Sequence, residues 1–548
     1  MSIIDWIVLV FTLCAIIMYG VYKSTTTKNL DGYFLTNRSL PWYLVLLSIM
    51  GTQASAITFL SVPGQAYTDG MRFVQNYFGL PLAMIVICIV FVPIFRNLKV
   101  YTAYEFLEKR FDIKTRTFTS FLFQLSRAFS TGISIYAPSI ILSSLLGWNI
   151  YWTNIFMGGL LIIYTVSGGA KAVAYTQKLQ LIIIIGGMLV AGYMVVHLMP
   201  AGVGFFDALN TGGKSGKLNV ITTGMNEHGF DWKDKFNIWS GIIGGFFLQL
   251  SYFGTDQSQV GRYLTAKDNR DSKIGLLVNG LVKVPMQFLI LLIGVLVFSF
   301  YQYHKAPIYF DSAQASLAKQ TMYKDSLVYL ETQYDLLSMQ NDPEKINGIK
   351  KQYKNVIKKA LPAQEVNDTN YIFLRFVIDY LPKGLIGLLI AMIFLAGWGS
   401  IAAALNALAS CTVVDIHKKF IQKDLTPQMD YRVSKIYTVC WGLFCMAVAL
   451  FAGNLGNSLV ETVNILGSLF YGVILGIFLI AFWFKKIKGN ATFYAALVSE
   501  GLVILIYKWD IVSFLWLNVI GALLVIIIAI MLQVLLPRTN KTKASPVL

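Results

Sequence analysis

The sequence predicts an all-α integral membrane protein with about thirteen transmembrane helices. Three observations carry that prediction. Of the 548 residues, 56% are hydrophobic and only 13% are charged, whereas a soluble domain carries roughly 25% charge. The apolar residues fall into blocks of about 20, the length that crosses a bilayer's hydrocarbon core. The basic residues between the blocks collect in alternate loops. In order, the blocks are 3–22, 41–66, 72–95, 117–146, 149–167, 177–199, 236–256, 274–300, 373–413, 433–453, 457–484, 490–507 and 512–536. The 373–413 block is too long for one span and is expected to open with an extracytoplasmic helix. Lipid leaves no partner for a free amide or carbonyl, and barrel strands would alternate over about 10 residues, so the blocks are read as helices.

The formal net charge of +17 does not imply nucleic acid, because its excess lies in short loops between spans. One alternating set of loops holds 26 of the 45 basic residues, from Lys23, Lys28 and Arg38 to Arg538, Lys541 and Lys543. The opposite short turns hold little beyond Arg72 and Lys508. The positive-inside rule then places the N-terminus outside and the C-terminus inside a cytoplasmic (inner) membrane. The first block is not read as a signal peptide: Asp5 is its only charged side chain, and no basic flank precedes it. Cys14, Cys88, Cys411, Cys440 and Cys445 all lie in apolar blocks and are expected to be small core residues.

Two stretches are polar. Residues 200–235 form an outside loop. Residues 303–371 carry an apolar stripe through Leu327, Leu330, Tyr334 and Leu337, which predicts an extracytoplasmic helical insertion. Gly213-Lys214-Ser215 resembles the end of a phosphate loop, but Ala208 stands where the required glycine would be. The four histidines are scattered. Neither a nucleotide engine nor an enzyme is expected, so transport would be passive or ion-driven.

The functional signal lies in polar residues that apolar spans should lack. Gly51, Thr52, Gln53, Ser55, Thr58 and Ser61 interrupt the second block, and Pro63-Gly64 follow. Such a helix can break at mid-membrane and free backbone groups for a solute or cation. Packing of small residues at a helix interface is the competing reading, but Gln53 is not needed for packing. Arg127 and Lys283 each lie about ten residues into a span. A cation there costs at least ~2.5–3.5 kcal/mol, so it must face a cavity or a partner. Asp256 and Glu461 are the nearest candidate partners. The planar fork of Arg127 matches a carboxylate.

Several ordered motifs resemble the sodium:solute symporter family, which includes bacterial galactose, proline and sialic acid transporters. They are Gln53–Leu60, Ser167–Gln180, Asp256–Leu264, Leu405–Ile416 and Phe482–Lys486. The resemblance implies one polytopic domain over 1–548 with two LeuT-type inverted five-helix repeats, about 41–199 and 236–484. It implies a solute site where the first helix of each repeat breaks, with Gln249, Tyr252 and Phe253 added from the second. Lys283 falls where the galactose transporter binds substrate, and Ser55, Thr58, Gln75 and Arg127 look like the sialic acid transporter's contacts. The family's sodium site would map to Gly51, Ala54, Ala396 and Ser400. It is weakened at Gly399, which lacks a hydroxyl, and at Gln177, which replaces a carboxylate. A second sodium site would need hydroxyls where Ala402 and Ala403 stand. The expectation is a symporter for a small polar solute (a sugar, sugar acid or small carboxylate), with Na+ as the coupling ion and no other cofactor. The alternatives are a sodium-independent or proton-coupled carrier on the same fold, and a membrane sensor with a degenerate core.

Overall fold

A computed structural model describes residues 1–23, 29–340, 343–362, 364–423, 425–455 and 458–535. Lys28, Arg538, Lys541 and Lys543 therefore lie outside the described residues. Apart from one short hairpin pairing Met225–Asn226 with Gly229–Phe230, the regular structure of the described residues is helical. Among the described residues, ten helical stretches are long and apolar enough to cross a membrane, and two shorter apolar helices are Trp42–Gln53 and Ile150–Val166. Their outward faces carry large bare side chains such as Phe11, Ile89, Ile163 and Leu281, while many polar residues are buried inside. That inverted arrangement is what a lipid solvent selects. The chain is a multi-pass membrane protein.

Where blocks and helices differ, local breaks are the reason. The second block splits into helices Trp42–Gln53 and Ala56–Asp69, because Ala54 and Ser55 leave helical geometry. The 236–256 block contains a π-helical turn at Ser240–Gly244, then helix Gly245–Gly254, then a break at Thr255 and Asp256. Asp256 caps the next helix, Gln257–Leu264, by accepting from the Ser258 amide at 2.7 Å. The 373–413 block divides into Ile372–Tyr380 and Leu385–Cys411. Gly384, between them, sits at φ 88°, which an L side chain rarely adopts.

The fifth and sixth blocks form one helical element, Ile150–His197. It is not a straight rod. The Tyr164 and Thr176 hydroxyls are 2.7 Å apart, although twelve residues of straight helix would separate them by about 18 Å. The axis therefore bends sharply between them, and two arms serve as the two expected blocks.

Asp5 is fully buried and accepts from the Gly384 and Gly387 amides, so it caps helix Leu385–Cys411 from the first helix. The basic loops meet at one end of the bundle. Arg38 donates to the Lys99 and Val100 carbonyls, Arg96 to the Ala266 carbonyl, and Arg110 to the Phe484 carbonyl. At the other end lie the 200–235 loop and the 303–371 insertion. Helices Ser312–Ala318, Lys324–Gln340 and Pro343–Ala360 of the insertion share a small core that includes Leu327, Leu330, Tyr353 and Ile357. The cysteines need a correction. Cys88, Cys411 and Cys445 are buried, but Cys14 and Cys440 point outward from their helices; all five are free thiols.

Candidate functional site

Between the two helix breaks lies a cavity of about 130 Å³. The first break contributes Gln53, Ser55 and Thr58, and the second broken helix contributes Gln249 and Tyr252. Helix Ile113–Leu146 adds Arg127 and Ser130, helix Asn269–Tyr303 adds Lys283, and helix Leu459–Trp483 adds Asn464 and Tyr471. Seven expected solute residues thus converge: Gln53, Ser55, Thr58, Arg127, Gln249, Tyr252 and Lys283.

Their hydrogen-bonding states differ. Gln53 donates to Asn279 Oδ1 at 2.9 Å, one helical turn from Lys283. The Tyr252 hydroxyl accepts from Gln259 at 2.6 Å. The side chains of Ser55, Gln249 and Lys283 make no hydrogen bond to any described residue. Lys283 is 2% exposed and has no ion-pair partner among the described residues. Its ammonium lies 5.7 Å from the centre of the Tyr77 ring, a contact that stabilises a cation without neutralising it.

Arg127 has one of the two candidate partners, Asp256. It is not short of a partner, for it pairs with the Asp256 carboxylate and donates to the Tyr471 hydroxyl at 2.7 Å. Tyr471 in turn donates to Asp256 at 2.7 Å. The guanidinium also lies over the Tyr252 ring, and its Nε has no partner among the described residues. Arg127 is thus an ion-paired wall of the cavity, and Lys283 is its uncompensated charge. Glu461, the other candidate partner, pairs instead with Lys235 from the 200–235 loop.

Two expected contacts do not line the cavity. Gln75 is fully buried in the turn Gly70–Tyr77; it donates to Thr222 at 3.1 Å and the Phe236 carbonyl at 3.0 Å. It ties two outer segments together. Phe253 is fully buried and faces away from the cavity that its neighbour Tyr252 lines. Successive helical residues point about 100° apart, and here Tyr252 takes the cavity side. Tyr77, Ser130, Asn464 and Tyr471 were missed. Asn464 alone carried a signal, as an amide inside an apolar block.

At the expected sodium position the donor set is altered. Gln177 Nε2 donates to the Gly399 carbonyl at 3.1 Å and to Thr52 Oγ1 at 3.2 Å, and its Oε1 accepts from Ser48 at 2.8 Å. The carboxamide bridges helices Trp42–Gln53 and Leu385–Cys411. Side-chain-free residues make room for it: a Cβ on Gly51 would stand 2.9 Å from Gln177, and one on Gly399 3.3 Å from Gln177 Cγ and 2.5 Å from Gln180 Oε1. An N–H donor thus occupies the Thr52 hydroxyl and the Gly399 carbonyl, neighbours in sequence of the expected ligands Gly51 and Ser400. Ser400 instead lines an adjoining cavity of about 90 Å³ with Thr52, Ser55, Ser130, Thr131 and Ser134. All but Ser55 donate their proton to a carbonyl of their own helix. What each can offer the cavity is oxygen lone pairs.

The family model for the sodium:solute symporter family matches residues 33–329 and 350–501. The chain belongs to the sodium:solute symporter family. The unmatched stretch 330–349 falls in the helical insertion. The sodium/sialic acid symporter of Proteus mirabilis is 25% identical over 528 residues, covering 96% of this chain and 93% of its own. The sodium/glucose cotransporter of Vibrio parahaemolyticus is 24% identical, covering 91% and 84%. Human sodium-coupled monocarboxylate transporter 1 is 26% identical, covering 85% and 66%. A solved substrate-bound, outward-open Na+-coupled sialic acid symporter superposes with a TM-score of 0.78 at 24% identity, over 98% of both chains. That likeness shows the symporter fold.

Proposed function

We propose that this family member is a secondary active transporter that takes up a sugar, sugar acid or small carboxylate by alternating access. One observation carries the reading: Ser55, Gln249 and the uncompensated Lys283 present free polar ends to a cavity at two broken helices. Half-helix ends and unwound backbone at such breaks are where transporters hold solute. The net positive charge of that cavity favours a carboxylate, and the relatives named for sialic acid and monocarboxylates fit this choice. The architecture we infer has thirteen spans, N-out and C-in, with inverted repeats at about 41–199 and 236–484 and the insertion outside. Gathering of the basic loops at one end supports that orientation in a bacterial inner membrane. A cysteine placed after Asn540 is expected to resist an impermeant thiol reagent in intact cells, and labelling without lysis refutes it.

Sodium is the coupling ion in this reading, supported by the family and by the hydroxyl oxygens of Thr52, Ser55, Ser130 and Ser400. A hard cation takes oxygen ligands, but it would have to displace the Gln177 amide from Thr52, so sodium binds weakly. That amide also favours a second reading, a sodium-independent carrier on the same fold. Uptake of radiolabelled glucuronate, N-acetylneuraminate and glucose into proteoliposomes, with sodium or choline outside, decides between them. Carboxylate uptake that saturates with sodium supports the first reading; equal uptake in choline supports the second. No uptake of any of these solutes overturns the substrate class.

A further inference from the structure

A second, larger cavity of about 1120 Å³ lies between the helical insertion and the core. Its floor includes Tyr67 and Thr68, at the far end of the helix whose first residues line the central cavity. Ten residues separate Thr58 from Thr68, about 15 Å along the helix. Five lysines line this cleft: Lys217, Lys305, Lys350, Lys351 and Lys354. Two are already paired, Lys305 with Asp335 and Lys354 with Asp368, each at 2.6 Å. Asp368, the cleft's lining carboxylate, also accepts from the Phe310 amide at 2.9 Å and has little left to offer. Lys217, Lys350 and Lys351 have no carboxylate within ion-pair distance among the described residues; Asp69 acts on Lys217, and Asp368 on Lys350, only from farther away.

These lysines are not all loose surface chains. The Lys217 ammonium lies 5.1 Å from the Phe298 ring centre, and that of Lys350 lies 5.6 Å from the Tyr334 ring centre. Lys217 also donates to the Thr68 carbonyl; these neutral contacts hold both ammoniums in place and leave their charge available. Burial lowers both below the ordinary lysine range, a cost that a bound anion would relieve. Tyr301 supplies an independent sign of a ligand. It lines the cleft, is 6% exposed, and its hydroxyl is buried without a partner among the described residues. A buried hydroxyl without a hydrogen bond is costly unless something else completes it.

We propose that this cleft is an outer binding site for an anionic solute, a carboxylate-bearing sugar or other small carboxylate, held there before it reaches the central cavity. The choice of solute rests on the substrate class proposed above. Three uncompensated ammoniums recognise the carboxylate, and the rings of Tyr67, Tyr301 and Tyr334 pack against its apolar face. A basic, walled cleft also raises the local concentration of anions at low salt.

The test uses the full chain reconstituted in zwitterionic lipid, so that no lipid anion competes. Equilibrium binding of radiolabelled D-glucuronate is compared in wild type and in Lys217→Gln/Lys350→Gln, with D-glucose as neutral control. Wild type is expected to bind two glucuronates per chain and the variant one. The variant's uptake KM for glucuronate should rise about tenfold at low salt with kcat unchanged, and that difference should shrink at high ionic strength. Glucose uptake should not change. Equal stoichiometry and equal KM in the two proteins overturn the outer site. If the substrate class is wrong instead, uptake of glucuronate is absent in both proteins while the salt-sensitive binding lost in the variant persists. Should the double variant fail to reconstitute, Lys350→Gln/Lys351→Gln answers the same question.

Discussion

Asp256→Asn isolates the charge balance of the central cavity. The substitution keeps the size of the side chain and an oxygen for the Ser258 amide, but it removes the charge that Arg127 faces. Arg127 is only 13% exposed at its side chain, and leaving one member of a buried pair unpaired costs about 3–5 kcal/mol. The cavity beside it, about 130 Å³, can admit a few waters, and the Tyr471 hydroxyl remains 2.7 Å away. The expected loss is therefore about 3 kcal/mol, the low end of that range, or roughly a hundredfold in an equilibrium constant. The assay is thermal unfolding of the purified protein in detergent, in a double-mutant cycle with Arg127→Met. Removing both charges should restore much of the stability, because neither is then left unpaired. A carboxylate solute should raise the melting temperature of Asp256→Asn more than that of wild type, since the freed guanidinium gains an anion. A single mutant as stable as wild type, or a double mutant whose losses simply add, refutes the pairing as the dominant interaction.

Gly399→Ser should tighten the sodium half-saturation of uptake several-fold, because it adds an oxygen and need only displace Gln180 Oε1, the end of a flexible side chain; an unchanged sodium titration counts against a cation there. Gln177→Glu should act in the same direction and more strongly, since it returns a full charge near a low-dielectric site; the same titration reads it. Lys283→Met should leave the melting temperature unchanged or raised, as it removes an unpaired buried cation, while lowering carboxylate uptake at least tenfold; full uptake would remove Lys283 from the site. Gln75→Ala should cost about 1–3 kcal/mol of stability by removing the carboxamide that bridges Thr222 and Phe236 and leaving the Thr222 amide without its acceptor, with the KM of the surviving protein unchanged.

What was legible in the sequence follows the cost of being wrong in lipid. A polar side chain in an apolar span must have a cavity or partner, so Gln53, Arg127 and Lys283 announced themselves, and all three line one cavity. The helix break was legible for the same reason, although its exact position at Ala54 and Ser55 was not. Gln75 misled because it stands at the head of an apolar block, where the chain is still a turn and a carboxamide can be satisfied by neighbouring loops. Tyr77, two residues on, reaches the cavity, but a tyrosine in an apolar block looks like any core aromatic. Asp256 and Glu461 were both candidate partners for Arg127, but 129 residues separate Arg127 from Asp256 and no periodicity relates two different helices, so the choice between them needed the fold. Gln177 shows the limit most clearly. Its identity marked a missing charge, but only the geometry shows its amide donating to Thr52 and Gly399, beside the residues expected to ligate sodium. The departure is therefore a substitution of one positive pole for another, with Gly51 and Gly399 trimmed to admit it. A neutral dipole that joins the same two helices can hold them together without an ion, which is why the strength of sodium dependence, rather than the fold, is the property most exposed to this one residue.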